Sequence, residues 1–123
     1  MFGLFRKKHS PRNISKLLQD VLEGSRGARL IVDTDEKTVY YNQKFAKVCG
    51  EKEVSLSGFC SLFDDALLVT DHLRRIAGAA KQGDTETIEL SVGSGSSEIW
   101  YQITAQPITD HDDYIHFRVD DVT

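Results

Sequence analysis

At 123 residues, with 40% hydrophobic and 28% charged residues, the chain has the length and balance of one globular domain, which leaves no room for a second catalytic unit and argues against disorder. The formal net charge is −4, yet Arg6, Lys7, Lys8 and Arg12 place +4 in the first twelve residues, so −4 − 4 = −8 falls on residues 13 to 123, an acidic body that argues against a nucleic-acid surface. No apolar run approaches the ~20 residues of a membrane span, and Cys49 and Cys60 have neither C-x-x-C nor metal-ligand spacing, as suits reduced thiols packed as small hydrophobes in a cytoplasmic protein.

Phe2 to Phe5 is too short for the apolar region of a signal peptide, and the basic residues follow it instead of preceding it. Residues 1–12 therefore read as a flexible basic start, with Arg6, Lys7 and Lys8 also suited to a nearby membrane tether or to anionic lipid. Residues 13–24 read as an amphipathic helix. Asn13 or Ser15 caps it, Ile14, Leu17, Leu18, Val21 and Leu22 recur at spacings of three and four, and Gly24 ends it. Such a stripe packs on a core or pairs with a second copy.

Leu30, Ile31 and Val32 form an apolar run that stops at the turn-forming cluster Asp33, Thr34, Asp35, and β-branched and aromatic residues resume at Thr38, Val39, Tyr40 and Tyr41. That pattern predicts a hairpin. Asn42 then stands where its side-chain oxygen can open a short helix burying Phe45, Val48 and Cys49, and Gly50 closes it. Glu51 to Asp65 has no period, and Phe59, Leu62 and Phe63 are its expected inward anchors in short helical turns. Asp64 or Asp65 caps a longer helix with the stripe Val69, Leu73, Ile76, Ala77 and Ala80, basic Arg74, Arg75 and Lys81 in its C-terminal half, and Gly83 as its stop.

The rest predicts sheet. Ile88, Leu90 and Val92 alternate with the polar Thr87, Glu89 and Ser91; Gly93 to Ser97 is a flexible loop; Ile99, Tyr101, Ile103 and Ala105 alternate with Trp100, Gln102, Thr104 and Gln106 up to Pro107. After a turn over Asp110 to Asp113, Ile115, Phe117 and Val119 alternate with His116 and Arg118 in a last strand. Three consecutive strands make a meander.

The run Val39, Tyr40, Tyr41, Asn42, then Phe45 and Gly50, followed by short helices, one longer helix and three strands, resembles PAS domains, the sensory modules of signalling proteins, over residues 25–123. The closing Asp121, Val122, Thr123 resembles the D-I-T triad that ends many PAS domains and leads into an output domain. The resemblance implies an α+β fold, a five-stranded antiparallel sheet pairing residues 28 to 42 with 87 to 121, with the helices on one face. It also implies a homodimer, formed through Leu17, Leu18, Val21 and Leu22 with the outer sheet face at Trp100. Beyond Thr123 it implies an output domain, a sensor histidine kinase first, with a diguanylate cyclase or a transcription regulator using the same module. Asp121 and Thr123 would transmit the signal: Val119 is the last inward position, so Asp120 and Asp121 are expected to leave the sheet, Asp121 capping the next helix while Val122 packs back.

Sites with sharper chemistry fail on their residues. Gly58, Phe59, Cys60, Ser61, Leu62, Phe63 superficially resembles the G-x-N-C-R-F-L-Q signature of LOV flavin photosensors, but Phe59 and Ser61 stand where the asparagine and the phosphate-binding arginine belong. His72, on the longer helix from which haem-binding PAS domains take their iron ligand, reads as a half-buried histidine beside an apolar stripe. The His72, Leu73, Arg74, Arg75 run lacks the acid and proline of a phosphoacceptor box. His111, Asp112, Asp113 and His116 surround one turn and do not converge on an ion, and Asp33-x-Asp35 lacks the later glycine and glutamate of a calcium loop. No glycine-rich phosphate loop, nucleophile elbow or paired carboxylates appear, so no catalytic group, metal or cofactor is expected. What remains is an inward set, Leu30, Val32, Phe45, Phe59, Phe63, Leu73, Ile76, Ile88, Leu90, Tyr101, Ile103 and Phe117, either a filled core or the lining of a small cavity for an apolar or amphipathic ligand, with Tyr101 and His72 as its polar contacts.

Overall fold

The computed structural model describes residues 27–123. The basic start and the helical stripe of residues 13–24, with Leu17, Leu18, Val21 and Leu22, lie outside the described residues.

Strand β1 (Ala28–Asp33) turns into β2 (Thr38–Tyr41) through the expected acidic cluster. The Asp33 carboxylate accepts from the backbone N–H of Asp35 and of Lys37, each at 2.9 Å, and this side-chain turn replaces bonds that strand pairing cannot supply there. Register shifts between Ile31 and Val32, a bulge that tightens the local twist. Three helices follow: α1 (Gln43–Cys49), α2 (Leu56–Cys60) and α3 (Ala66–Lys81). Each opens on a side-chain cap three residues back, Asn42 accepting from Phe45 N, Ser55 from Gly58 N and Asp65 from Leu68 N. The buried residues of α3 are Val69, Leu73, Ile76, Ala77 and Ala80, the stripe read from its period. In α1, Phe45 and Cys49 are buried while Val48 only borders the core.

β3 (Glu86–Val92), β4 (Ile99–Pro107) and β5 (Tyr114–Asp121) complete one antiparallel sheet in the order β2-β1-β5-β4-β3. The loop expected to be flexible holds a single 3-10 turn over Gly95–Ser97. Central β5 separates the two ends of the chain's sheet, so residues 28–33 pair with 114–119 and close the fold. The helices cover one face. There Leu30, Val32, Ile103, Ala105, Ile115, Phe117 and Val119 meet Phe45, Cys49, Leu73 and Ile76, and Phe59 sits with its ring 6.0 Å from Phe45, 5.3 Å from Phe63 and 6.0 Å from Tyr101. β3 lies at the sheet edge, so Ile88, Leu90 and Val92 point inward yet stay half-buried.

Thr104 and His116, which alternate with the inward residues of β4 and β5, are buried on the opposite face. Two expectations need correction. Asp120 and Asp121 do not leave the sheet: β5 runs through Asp121, which pairs with Tyr101, because β4 extends back to Ile99 and keeps offering backbone partners. Val122 does not pack back but is exposed, since its N–H bonds the Trp100 carbonyl and holds the chain along the strand.

Candidate functional site

The residues read as a cavity lining fall into a packed group and an outer group. Phe45, Phe59, Leu73, Ile76, Ile103 and Phe117 are each at most 1% exposed and pack on one another, with Ile88 bordering them from the edge strand. Phe63, His72 and Leu90 lie farther out, on an open groove of about 400 Å³ between the N-terminal half of α3 and β3. Its apolar wall includes Leu68, 51% exposed, and Trp100, 40% exposed, and its rim carries Asp64, Asp65 and Glu89. Tyr101 lines a second groove of about 360 Å³, with Gly27, Lys44, Val48, Asp120 and Asp121. Burial, then the nearby Asp121 and Cys49, push the Tyr101 hydroxyl above its usual pKa, so it stays a neutral donor.

The two grooves are joined through the backbone of β4. Trp100, in the first, donates its N–H to Thr123 Oγ1 at 3.0 Å and accepts from Val122 N at 2.9 Å. Thr123 in turn donates its hydroxyl to Asp121 Oδ1 at 2.6 Å and its N–H to the same oxygen at 3.0 Å. Those two bonds, the hydroxyl's first, hold the Asp121 carboxyl below its usual pKa. Asp121 and Thr123, singled out for transmission, thus form a hook that ties the last described residues to the Trp100 peptide.

Cys49 and Cys60 are free and buried, and burial pushes both thiols up, away from nucleophilic character. Among the described residues no three His, Cys, Asp or Glu side chains gather as metal ligands, and no helix is long and apolar enough to cross a membrane. His111 lies against the Tyr114 ring, 6.5 Å between centroids.

Two tertiary roles that sequence reasoning missed, at Asn42 and Gly58, position these elements. Asn42 does more than cap α1: Oδ1 also accepts from Arg29 N at 2.9 Å, and Nδ2 donates to Gly27 O at 2.9 Å, tying the start of β1 to the start of α1. A Cβ on Gly58 would meet the Glu53 carbonyl, so α2 can approach that backbone only with glycine there. A tertiary staple and a close approach leave no periodic signal.

No family model and no curated protein sequence matches the chain. Solved structures do. A phage VqmA–DPO complex superposes with a TM-score of 0.67 at 17% identity, over 96% of this chain and 57% of that one. A domain of an HTR-like protein from Haloarcula marismortui gives 0.58 at 19%, covering 80% of this chain and 100% of that one. A sensory box sensor histidine kinase from Vibrio cholerae gives 0.54 at 19%, covering 96% of this chain and all of that one. The fold is PAS-like. This chain spans little more than half the length of the VqmA chain, and identities of 17–19% carry the architecture alone. Within a PAS-like fold, the α3–β3 groove lies at the open edge of the sheet, and the Trp100–Thr123 hook lies where the chain leaves it.

Proposed function

We propose that this chain is the regulatory sensing and dimerisation module of a cytoplasmic or membrane-tethered signalling protein, with a two-component sensor histidine kinase as the first choice of output. The module itself carries out no catalysis and needs no metal or chromophore. Its ligand is a small amphipathic molecule seated in the groove of Phe63, Leu68, His72, Leu90 and Trp100, and its partner is a second copy. The observation that carries this reading is the double position of Trp100, which lines the groove and holds Val122 and Thr123 through its peptide. A molecule pressing on Trp100 would bias the hook between closed and open arrangements, a two-state element of the kind that a signal can shift.

Hydrogen exchange tests this on the chain itself. Leu68→Arg places a long charged side chain in the groove at an exposed position, so the fold should survive. Amide exchange at Val122 should then accelerate about fivefold, as expected when one bond worth ~1 kcal/mol is weakened. Unchanged exchange at Val122 in a folded variant would sever the groove from the hook.

A second reading, a haem- or flavin-bearing sensor, has one observation in its favour: His72 lies on the groove wall. An absorption spectrum of protein made in haem- and flavin-supplied cells decides it. The first reading expects no visible band.

A further inference from the structure

On the outer face of the sheet, cationic donors collect without enough acceptors among the described residues. Arg29 and Arg118 stand directly opposite each other on β1 and β5, and like charges so placed destabilise a strand pair unless something lies between them. His116 is next on the same face, opposite Ile31, and is 6% exposed. Its Nδ1 is 3.4 Å from the Gln106 side-chain amide, and its Nε2 is buried with no partner among the described residues. Arg29 Nε and Nη1 and Arg118 Nε are likewise buried without partners among them. Neighbouring polar groups are already committed, Thr104 to Thr87 and Gln106 to His116. Among the described residues the carboxylate beside them is Asp120, 3.9 Å from Arg118 Nη2, and it also favours the Arg29 charge, so one carboxylate serves two guanidiniums. Several buried donors without partners among the described residues, on facing positions of two paired strands, cost more than a fold normally tolerates, and an anion would supply the acceptors.

We propose that Arg29, Arg118 and His116 form an oxyanion site on the outer face of the sheet that binds the carboxylate or phosphate group of a small ligand. The Arg118 side chain, 39% exposed, is the open side of the site. Its planar fork and that of Arg29 suit two oxygens of one group. His116 fits as a neutral donor: burial first, then Arg29 and Arg118, bring it down to about 4, and the tautomer whose Nδ1 accepts from Gln106 carries its proton on Nε2.

The probes are inorganic phosphate and acetate, each compared with chloride at equal ionic strength on the full chain. At about five times Kd, the bound anion should raise Tm by about 4–8 °C in a domain of this size. Phosphate also stabilises proteins generally, so the decisive quantity is the rise in the parent minus the rise in Arg118→Gln, a variant at a half-exposed position that also removes the like-charge contact. The parent's His116 imidazole resonances, which need no variant, should move with the same titration. A rise with either anion that is lost in Arg118→Gln supports the site and names the group it prefers. Equal rises in parent and variant, or His116 resonances that stay fixed with both anions, overturn it.

Discussion

Removing the Asn42 side chain should cost far more than a helix cap. Asn42→Ala deletes three bonds at once: the cap to Phe45 N at 3.0 Å and the two links to β1 at Arg29 N and Gly27 O, both part-buried. The cap is worth ~1 kcal/mol, and each lost link, which leaves a half-buried backbone group unpaired, adds about 1 kcal/mol. The sum is about 2–3 kcal/mol, or a Tm loss of about 10–20 °C at this chain length. Urea unfolding with an unchanged m-value measures it. Asn42→Ser keeps the cap alone and should lie between parent and alanine. Asn42→Asp keeps both acceptor bonds, adds a charge that suits the helix N-terminus, and loses only the donor to Gly27, so it should be the mildest of the three. An alanine variant that costs under about 0.5 kcal/mol, or a serine variant as stable as the parent, would refute the staple and leave Asn42 an ordinary cap.

His116 makes stability fall with acid. Its folded pKa is about 4 against 6.5 unfolded, so the unfolded chain binds more protons between those values; the contribution is complete above pH 6.5 and drains as pH drops toward 4, by at most about 3 kcal/mol. Urea midpoints from pH 7 to pH 4.5 should show that slope, and His116→Gln should flatten it. Gly58→Ala should destabilise by about 1–3 kcal/mol because the new Cβ meets the Glu53 carbonyl, whereas Gly78→Ala, with open space around it in α3, should stabilise by up to about 1 kcal/mol. Thermal denaturation of the pair checks both signs, and a neutral Gly58→Ala would mean that α2 shifts freely. Cys49 and Cys60 should resist a thiol reagent in the native protein and react together on unfolding; fast native modification of either would contradict its burial.

The parts of the fold that were legible are those with a local rule behind them. The α3 stripe follows from a 3.6-residue period, the caps at Asn42 and Asp65 from a side chain placed before it, and the strands from alternation. Alternation, however, says which face a residue takes and not whether that face is wet. Thr104 and His116 take the polar positions of that alternation and are nonetheless buried, Thr104 meeting Thr87 on the neighbouring strand. Site residues suffered the complementary error of scale. An inward direction was read correctly for Phe59, Phe63, Leu73 and Tyr101, yet whether they frame a void depends on how helices from three separate stretches seat on the sheet. Phe59 packs its ring against Phe63 and Tyr101, and an open groove lies farther out, beside Leu68 and Trp100. Asn42 and Gly58 show the limit most plainly, since their partners Gly27, Arg29 and Glu53 are chosen by tertiary approach.

The corrected course of Asp121 changes what the end of the domain can do. A chain that left the sheet after Val119 would be free to carry a helix in any direction. Instead β5 stays paired through Asp121 and the next two residues stay tied to Trp100, so the direction in which the chain departs is set by β4. The start of the described chain is held at the same end of the sheet: Gly27 is bonded to Asn42, a Cβ on it would meet Asp120 Oδ1, and Gly27, Asp120 and Asp121 line one groove with Tyr101. Where the chain enters and where it leaves are therefore neighbours across β1 and β5. A displacement delivered at Gly27 need cross only one strand pair to reach Asp121, whereas one delivered in the α3–β3 groove reaches it through the Trp100 peptide. Both routes end at the exposed bonds of the Asp121–Thr123 hook. That is where a small free energy can change the arrangement without disturbing the packed ring of Phe59.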